Sequence, residues 1–230
     1  MKTKQLALKI FLIISIISIT LFGIVDRSHA QDSSGMYIDD FQTEIKPDAN
    51  SWVKISEKIT FVYETPHHGF LRYIPYRYHD KYGNIRNIKI DVESITFDNG
   101  QSVPYSKSNS SGYVELKIGD ASRTVTGKYA YKVNYKVWGA INYFDNEAEF
   151  YWNVTGDKWQ MPILNSSANV LVGSDQCLNL TGFYGSAGST DLAQIDKDGV
   201  KSIACYFFNQ ALSNIRCSHL RFFVISAHFW

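Results

Sequence analysis

From residue 36 onward, apolar and polar side chains alternate with a period of two. The clearest run follows the turn-like Pro47-Asp48-Ala49-Asn50, where Val53, Ile55, Ile59, Phe61 and Tyr63 share one face and Lys54, Ser56, Lys58 and Thr60 the other. This is the signature of a half-buried strand. A second run places Tyr129, Tyr131, Val133, Tyr135 and Val137 against Lys128, Lys132, Asn134 and Lys136, with the lysines discouraging edge-to-edge pairing. Glu57 breaks the first pattern, standing on the apolar face between Ile55 and Ile59.

Ile88, Ile90 and Val92 keep one phase up to Glu93-Ser94, after which Ile95 and Phe97 carry the opposite phase into Asp98-Asn99-Gly100. A one-residue phase change predicts a β-bulge, and Asn-Gly predicts a hairpin, here to residues 113–118. Further strands are expected at 36–45, 148–154, 170–172 and 203–208. No helical periodicity appears after the N-terminal segment. The predicted fold is all-β, an antiparallel β-sandwich preceded by a signal helix.

That N-terminal segment has Lys2, Lys4 and Lys9 before an apolar run over 10–25, then Asp26-Arg27 and Ser28-His29-Ala30. It reads as a signal peptide, residues 1–30, cleaved before Gln31. An uncleaved N-terminal anchor is the other reading, although the run is shorter than the roughly 20 residues that comfortably span a bilayer. Either way the remainder is extracytoplasmic, secreted or N-terminally anchored. A formal net charge of +1 in 230 residues supplies no field for nucleic acid. With 15 Tyr, 14 Phe and 5 Trp, rings are abundant enough to fill pleated sheet faces. In an oxidising compartment Cys177 and Cys205 are expected to pair, closing a loop of about 28 residues, and Cys217 is left over.

The densest polar-aromatic stretch is residues 65–80, TPHHGFLRYIPYRYHD. It is read as a long crossover loop packing its rings on the sandwich. Its His67, His68, Tyr73, Tyr76 and Arg77, with Trp152 and Trp159, form a candidate surface for a glycan or an envelope protein. Adjacent His67 and His68 point to opposite faces of an extended chain, so no metal site is expected. Glu57 must be paired if it is buried, and Arg72, following on the segment that leaves the same strand, is its expected partner. Asp145, Glu147, Glu149 and Asp157 are the acidic counterpart. Glu147 and Glu149 would share one strand face about 7 Å apart, the ingredients of glycoside hydrolysis or of calcium binding, and a secreted carbohydrate-active enzyme is the rival to a non-enzymatic domain. No nucleophile elbow, zinc-protease, P-loop or dinucleotide motif is present, so neither catalytic residues nor a cofactor are assigned.

Three segments carry a resemblance: VKISEKITFVYETPHHGFLRYIP (53–75), FYWNVTGDKWQMPI (150–163) and CLNLTGFYGS (177–186). In this order they resemble the N-terminal extracytoplasmic region of the domain of unknown function 2207 family of bacterial membrane proteins. The most recognisable marks are the Glu57 strand, His68-Gly69 with Arg72 and Ile74-Pro75, and Trp152-Asn153-Val154-Thr155-Gly156 with Trp159. The resemblance implies a signal peptide, a β-rich outer domain over residues 31–212 and transmembrane anchoring; it implies no activity. Residues 213–230 depart from the pattern and read as a truncated or frame-shifted tail, which would cost the domain its last strand and expose a sheet edge.

Overall fold

The computed structural model describes residues 35–79, 83–143, 148–171, 179–184, 191–192, 194–198, 202–208 and 221–225. Residues 1–34, Asp145, Glu147, Cys177 and Cys217 lie outside the described residues, and the signal-peptide reading and the Cys177–Cys205 pairing fall with them. In chain order the strands are β1 (Met36–Pro47), β2 (Trp52–His67), β3 (Gly69–Pro75), β4 (Arg77–His79), β5 (Ile85–Asn87) and β6 (Lys89–Phe97). Then come β7 (Tyr105–Ser110), β8 (Tyr113–Gly119), β9 (Val125–Trp138), β10 (Ile141–Tyr143), β11 (Ala148–Asn153) and β12 (Asn165–Leu171). The last are β13 (Asn179–Tyr184), β14 (Asp191–Leu192), β15 (Gln194–Asp198), β16 (Ser202–Phe208) and β17 (Arg221–Ile225). No helix occurs among the described residues, so the fold is all-β.

The largest sheet has the order β15-β16-β12-β1-β2-β9-β6. Beside it stand β3-β8-β7, β10-β11-β17-β13-β14 and the pair β4-β5. The pairing is antiparallel except where β1 meets β12 in parallel, a departure from the expected wholly antiparallel sandwich. A parallel pair needs a long connection, and the whole chain between Pro47 and Asn165 supplies it.

Period-two burial follows the sequence pattern. On β2, Val53, Ile55, Glu57, Ile59, Phe61 and Tyr63 are buried, and on β9, Tyr131, Val133, Tyr135 and Val137. Opposite them Phe70, Arg72 and Ile74 of β3 and Val114, Leu116 and Ile118 of β8 turn inward. Ring contacts join the layers, with Phe61 and Phe70 centroids 4.3 Å apart and Phe70 and Tyr131 5.0 Å apart. The bulge in β6 lies between Val92 and Ser94. β1 has a second bulge between Ile38 and Asp40, which moves its inward set from Met36 and Ile38 to Phe41, Thr43 and Ile45.

Three expectations are corrected. Residues 65–79 are not a crossover loop: they complete β2 and form β3 and β4, and the inward Arg72 conceals the alternation of Phe70 and Ile74. The turn at Asn99-Gly100 exists, with Gly100 N donating to Phe97 O at 2.9 Å and Phe97 N to Gln101 O at 2.8 Å, but it does not pair β6 with β8. The returning chain makes one bridge, Thr96 with Ser102, and then meets Pro104, which has no N–H to extend a ladder. Pro104 O instead accepts from Gly119 N at 2.9 Å, delivering the chain to the other layer. There β7 and β8 form their own two-residue hairpin at Ser111 (φ 51) and Gly112 (φ 85), the double positive φ of a type I′ turn. Lastly, the stretch 213–230 does supply a strand, since β17 lies between β11 and β13.

Gly69 and Gly119 face each other across β3 and β8 with φ of +139 and +132. A Cβ on Gly119 would overlap the His68 carbonyl oxygen, and one on Gly69 that of Ile118. Gly100 also has positive φ but nothing within 4 Å of such a Cβ. Gly119→Ala is therefore expected to lower stability by about 3 kcal/mol and Gly100→Ala by about 1 kcal/mol. Urea melts measure both, and equal losses would mean that the close approach at Gly119 is not limiting.

Candidate functional site

Glu57 stands on the inward side of β2 and Arg72 on the inward side of β3, and both are buried. Arg72 meets the carboxylate as a fork, Nε donating to Oε2 at 2.8 Å and Nη2 to Oε1 at 2.5 Å. Tyr135, inward on β9, donates its hydroxyl to the same Oε1 at 2.5 Å. The third guanidinium nitrogen, Nη1, donates to the Tyr73 carbonyl at 2.9 Å. The rings of Phe41 and Trp159 each have their centroid 5.6 Å from Arg72 Cζ, a favourable placement for a desolvated cation.

The segment that closes this cluster is held by its own bonds. Trp159 Nε1 donates to Thr155 O at 2.5 Å, and Gly156 N to Asn153 Oδ1 at 3.1 Å. Gly156 (φ +82) has to be glycine, because a Cβ would overlap Arg72 Nη1. Trp159 also packs on the rings of Phe61 and Phe70.

Burial alone would disfavour the Arg72 charge, but the Glu57 carboxylate and its hydrogen bonds outweigh burial and raise the guanidinium above its ordinary pKa. Burial, and then the Glu57 charge, push the Tyr135 phenol well up, so it remains a donor. Both Glu57 oxygens are filled by donors with no route to solvent. The arrangement clamps two sheet layers together, with three donors on the carboxylate and the carboxylate itself shut off from solvent. Gly156 is marked in the sequence only by the family resemblance, and nothing in the sequence pattern assigns Tyr135 a part in the pair. Tyr135 read there as one more inward ring, and only its position across from Glu57 reveals what its hydroxyl does.

The other candidates lie apart from this cluster. Trp152 is buried, stacked on Phe150 at 5.8 Å, and offers no surface. Trp159 is half-buried against Arg72. His68 Nδ1 donates to Arg123 O at 3.0 Å and Asp120 O at 3.3 Å, whereas His67 Nε2 lies 3.1 Å from Thr65 Oγ1, so the two histidines hold different partners. Tyr73 faces outward on β3, edge-on to Tyr113 at 6.3 Å, and partial burial and the Glu115 carboxylate raise its phenol pKa. Arg77 lies 6.0 Å over the Tyr76 ring and reaches Asn87 Oδ1 at 3.3 Å. Along the β3 edge, then, the structure strings His68, Tyr73, Tyr76 and Arg77. Glu149 is half-buried on β11, in the phase opposite to buried Ala148, Phe150 and Trp152, so it does not share a pocket with Arg72. Among the described residues no group of three or more His, Cys, Asp or Glu is placed to hold a metal ion, and no helix is long and apolar enough to cross a membrane.

Glu57→Ala leaves Arg72 buried and unpaired, and is expected to cost about 3 kcal/mol more than Glu115→Ala. Glu57→Ala combined with Arg72→Ala should recover part of the loss, as a double-mutant cycle by urea denaturation would read. Equal losses at Glu57 and Glu115 would contradict the clamp.

Comparison with solved structures finds an M1 zinc metallopeptidase from Deinococcus radiodurans at 7% identity and a TM-score of 0.46, with 85% of this chain and 43% of that one covered. Leukotriene A4 hydrolase from Saccharomyces cerevisiae is similar at 9% identity and a TM-score of 0.47, with 88% of this chain and 31% of that one covered. The chain thus spans less than half the length of either, and at such identities and scores neither likeness bears on what it does. No curated protein matches the chain. The model of the family described as predicted membrane protein (DUF2207), N-terminal domain, matches residues 37–202, and the chain belongs to that family.

Proposed function

We propose that this chain is a non-enzymatic extracytoplasmic domain of a membrane-associated envelope protein, exported by residues 1–30 and acting in binding, sensing or assembly. The observation that carries the reading is the closed state of its interior charge. The Glu57 carboxylate has both oxygens occupied by Arg72 and Tyr135, which suits a rigid scaffold and not a general acid or base. Binding falls to the outward side chains along β3 and β4, with Tyr73, Arg77 and His68 offering a stacking face and forked donors to a glycan or a protein loop, and Tyr76 packing behind Arg77.

Chain recovered from an export-competent host is expected to begin at Gln31, by mass spectrometry. Tyr73→Ala combined with Arg77→Ala should weaken retention on isolated envelope material about tenfold or more without lowering the melting temperature, since such anchors carry most of an interface's energy. Release of reducing sugar from envelope glycans by the wild type, lost in Glu147→Gln or Glu149→Gln, would replace this reading with the hydrolase.

A further inference from the structure

The outer face of the seven-stranded sheet changes character at one end. There Trp52 of β2 stands opposite Trp138 of β9, and Trp138 opposite Lys89 of β6. On the next rung of the same face Lys46, Lys54, Lys136 and Asp91 lie side by side on β1, β2, β9 and β6. Lys136 is neutralised by Asp91 and Glu93, each 3.6 Å from its Nζ. Lys46, Lys54 and Lys89 have no ion-pair partner among the described residues. Of the other acids at this end, Glu44 sits on the following rung of β1, and Asp48 caps the β1–β2 turn by accepting from Asn50 N and Trp52 N. Like charges directly opposite across two strands are unfavourable, so the adjacent Lys46 and Lys54 ask for an anion from outside.

Exposed apolar side chains gather at the same end. Trp138 is 51% exposed. Tyr143, whose hydroxyl meets Ser51 Oγ at 2.6 Å, is 56% exposed. Arg86 Nη2 donates to the carbonyls of Gly139 and Ile141 at 2.7 and 3.0 Å, which ties β5 to the turn between β9 and β10. A single exposed ring or aliphatic chain is ordinary. Lys89 Nζ lies 5.3 Å over the Trp52 ring. Trp and Tyr grouped beside lysines that have no ion pair among the described residues have the chemistry of a bilayer surface, where indole and phenol rings settle at headgroup depth and lysine stems lie along apolar surface with their charge on phosphate.

We infer that this end of the large sheet, through Trp138 with Lys46, Lys54 and Lys89 and with Tyr143 of the adjoining β10, rests on the headgroup layer of an anionic phospholipid bilayer. The contact belongs to the folded domain and is separate both from residues 1–30 and from the β3–β4 surface.

The test uses the full chain with vesicles of phosphatidylcholine alone or mixed with phosphatidylglycerol, read by co-sedimentation and tryptophan emission. Wild type should bind the anionic vesicles more tightly than the neutral ones, and salt at about 0.5 M should remove the difference. Lys46→Glu with Lys54→Glu should weaken anionic-vesicle binding about tenfold or more, with Lys46→Gln and Lys54→Gln falling between. Trp138→Ser should abolish the blue shift of emission on those vesicles. Lys117→Glu, exposed on the outer side of β8 in the other layer, should change neither, and all variants should keep the wild-type circular-dichroism melt because the substituted side chains are exposed. Equal binding by wild type and the Lys46→Glu, Lys54→Glu variant would overturn the inference and assign membrane binding to residues 1–30. Equal binding to both lipid mixtures would overturn it too, as would binding of soluble polyphosphate that displaces the vesicles while Trp138→Ser leaves the emission shift intact.

Discussion

A charge in an apolar interior persists only if its hydrogen-bonding capacity is met there, and the Glu57–Arg72 pair imposes that condition on segments far apart in the chain. β2 supplies the carboxylate, β3 the guanidinium and a carbonyl, β9 the Tyr135 hydroxyl, β1 the Phe41 ring, and the turn after β11 the Trp159 ring. Sliding β3 by one residue against β8 would turn Arg72 to solvent and bring Leu71 or Tyr73 inward, stranding Glu57 without a partner. An apolar pair of similar volume could equal this stability. What the ion pair adds is intolerance of any other register between the layers, because each wrong one leaves a buried charge unpaired.

The same condition accounts for local sequence choices that look unrelated along the chain. Gly156 makes room for Arg72 Nη1, and Asn153 fixes the turn that presents Gly156. Gly69 and Gly119 let the start of β3 and the end of β8 approach closely. Among the residues that carry the family resemblance, Glu57, Arg72 and Trp159 therefore belong to the clamp, Gly156 with Asn153 makes room for it, and Gly69 admits the close approach of β3 to β8. Such a resemblance transmits a scaffold.

Strands with a clean two-residue period, β2 and β9, could be read directly from the sequence, and so could the β6 bulge, since a phase slip leaves its mark on the apolar pattern. The pairing of Glu57 with Arg72 was also legible, because a lone acid on an apolar face has few solutions. β3 was hidden because its middle inward residue is that same arginine, and polarity alone cannot separate an inward Arg from an outward one. β7 was hidden for a different reason: every one of its residues is exposed, and an overhanging edge strand of serine, lysine and asparagine has no apolar period to detect. The partner of the Asn99-Gly100 turn depended on Pro104, whose missing donor ends the hairpin after a single bridge.

Where the rings of this aromatic-rich chain lie separates its two roles. Phe41, Phe61, Phe70, Tyr131, Tyr135 and Trp152 fill the space between layers, and Trp159 seals its edge. Trp138, Tyr143 and Tyr73 face outward, on β9 at one end of the large sheet, on β10 of the five-stranded sheet and on the β3 edge of the other layer. The inner set is constrained by the clamp, since moving any of those rings shifts Glu57, Arg72 or the turn that covers them. The outer set touches nothing the clamp requires, so it is free to be shaped by whatever the domain meets outside. Function in this fold is accordingly to be sought on rings and charges that the interior does not use, at the sheet end with Trp138 and along the edge with Tyr73.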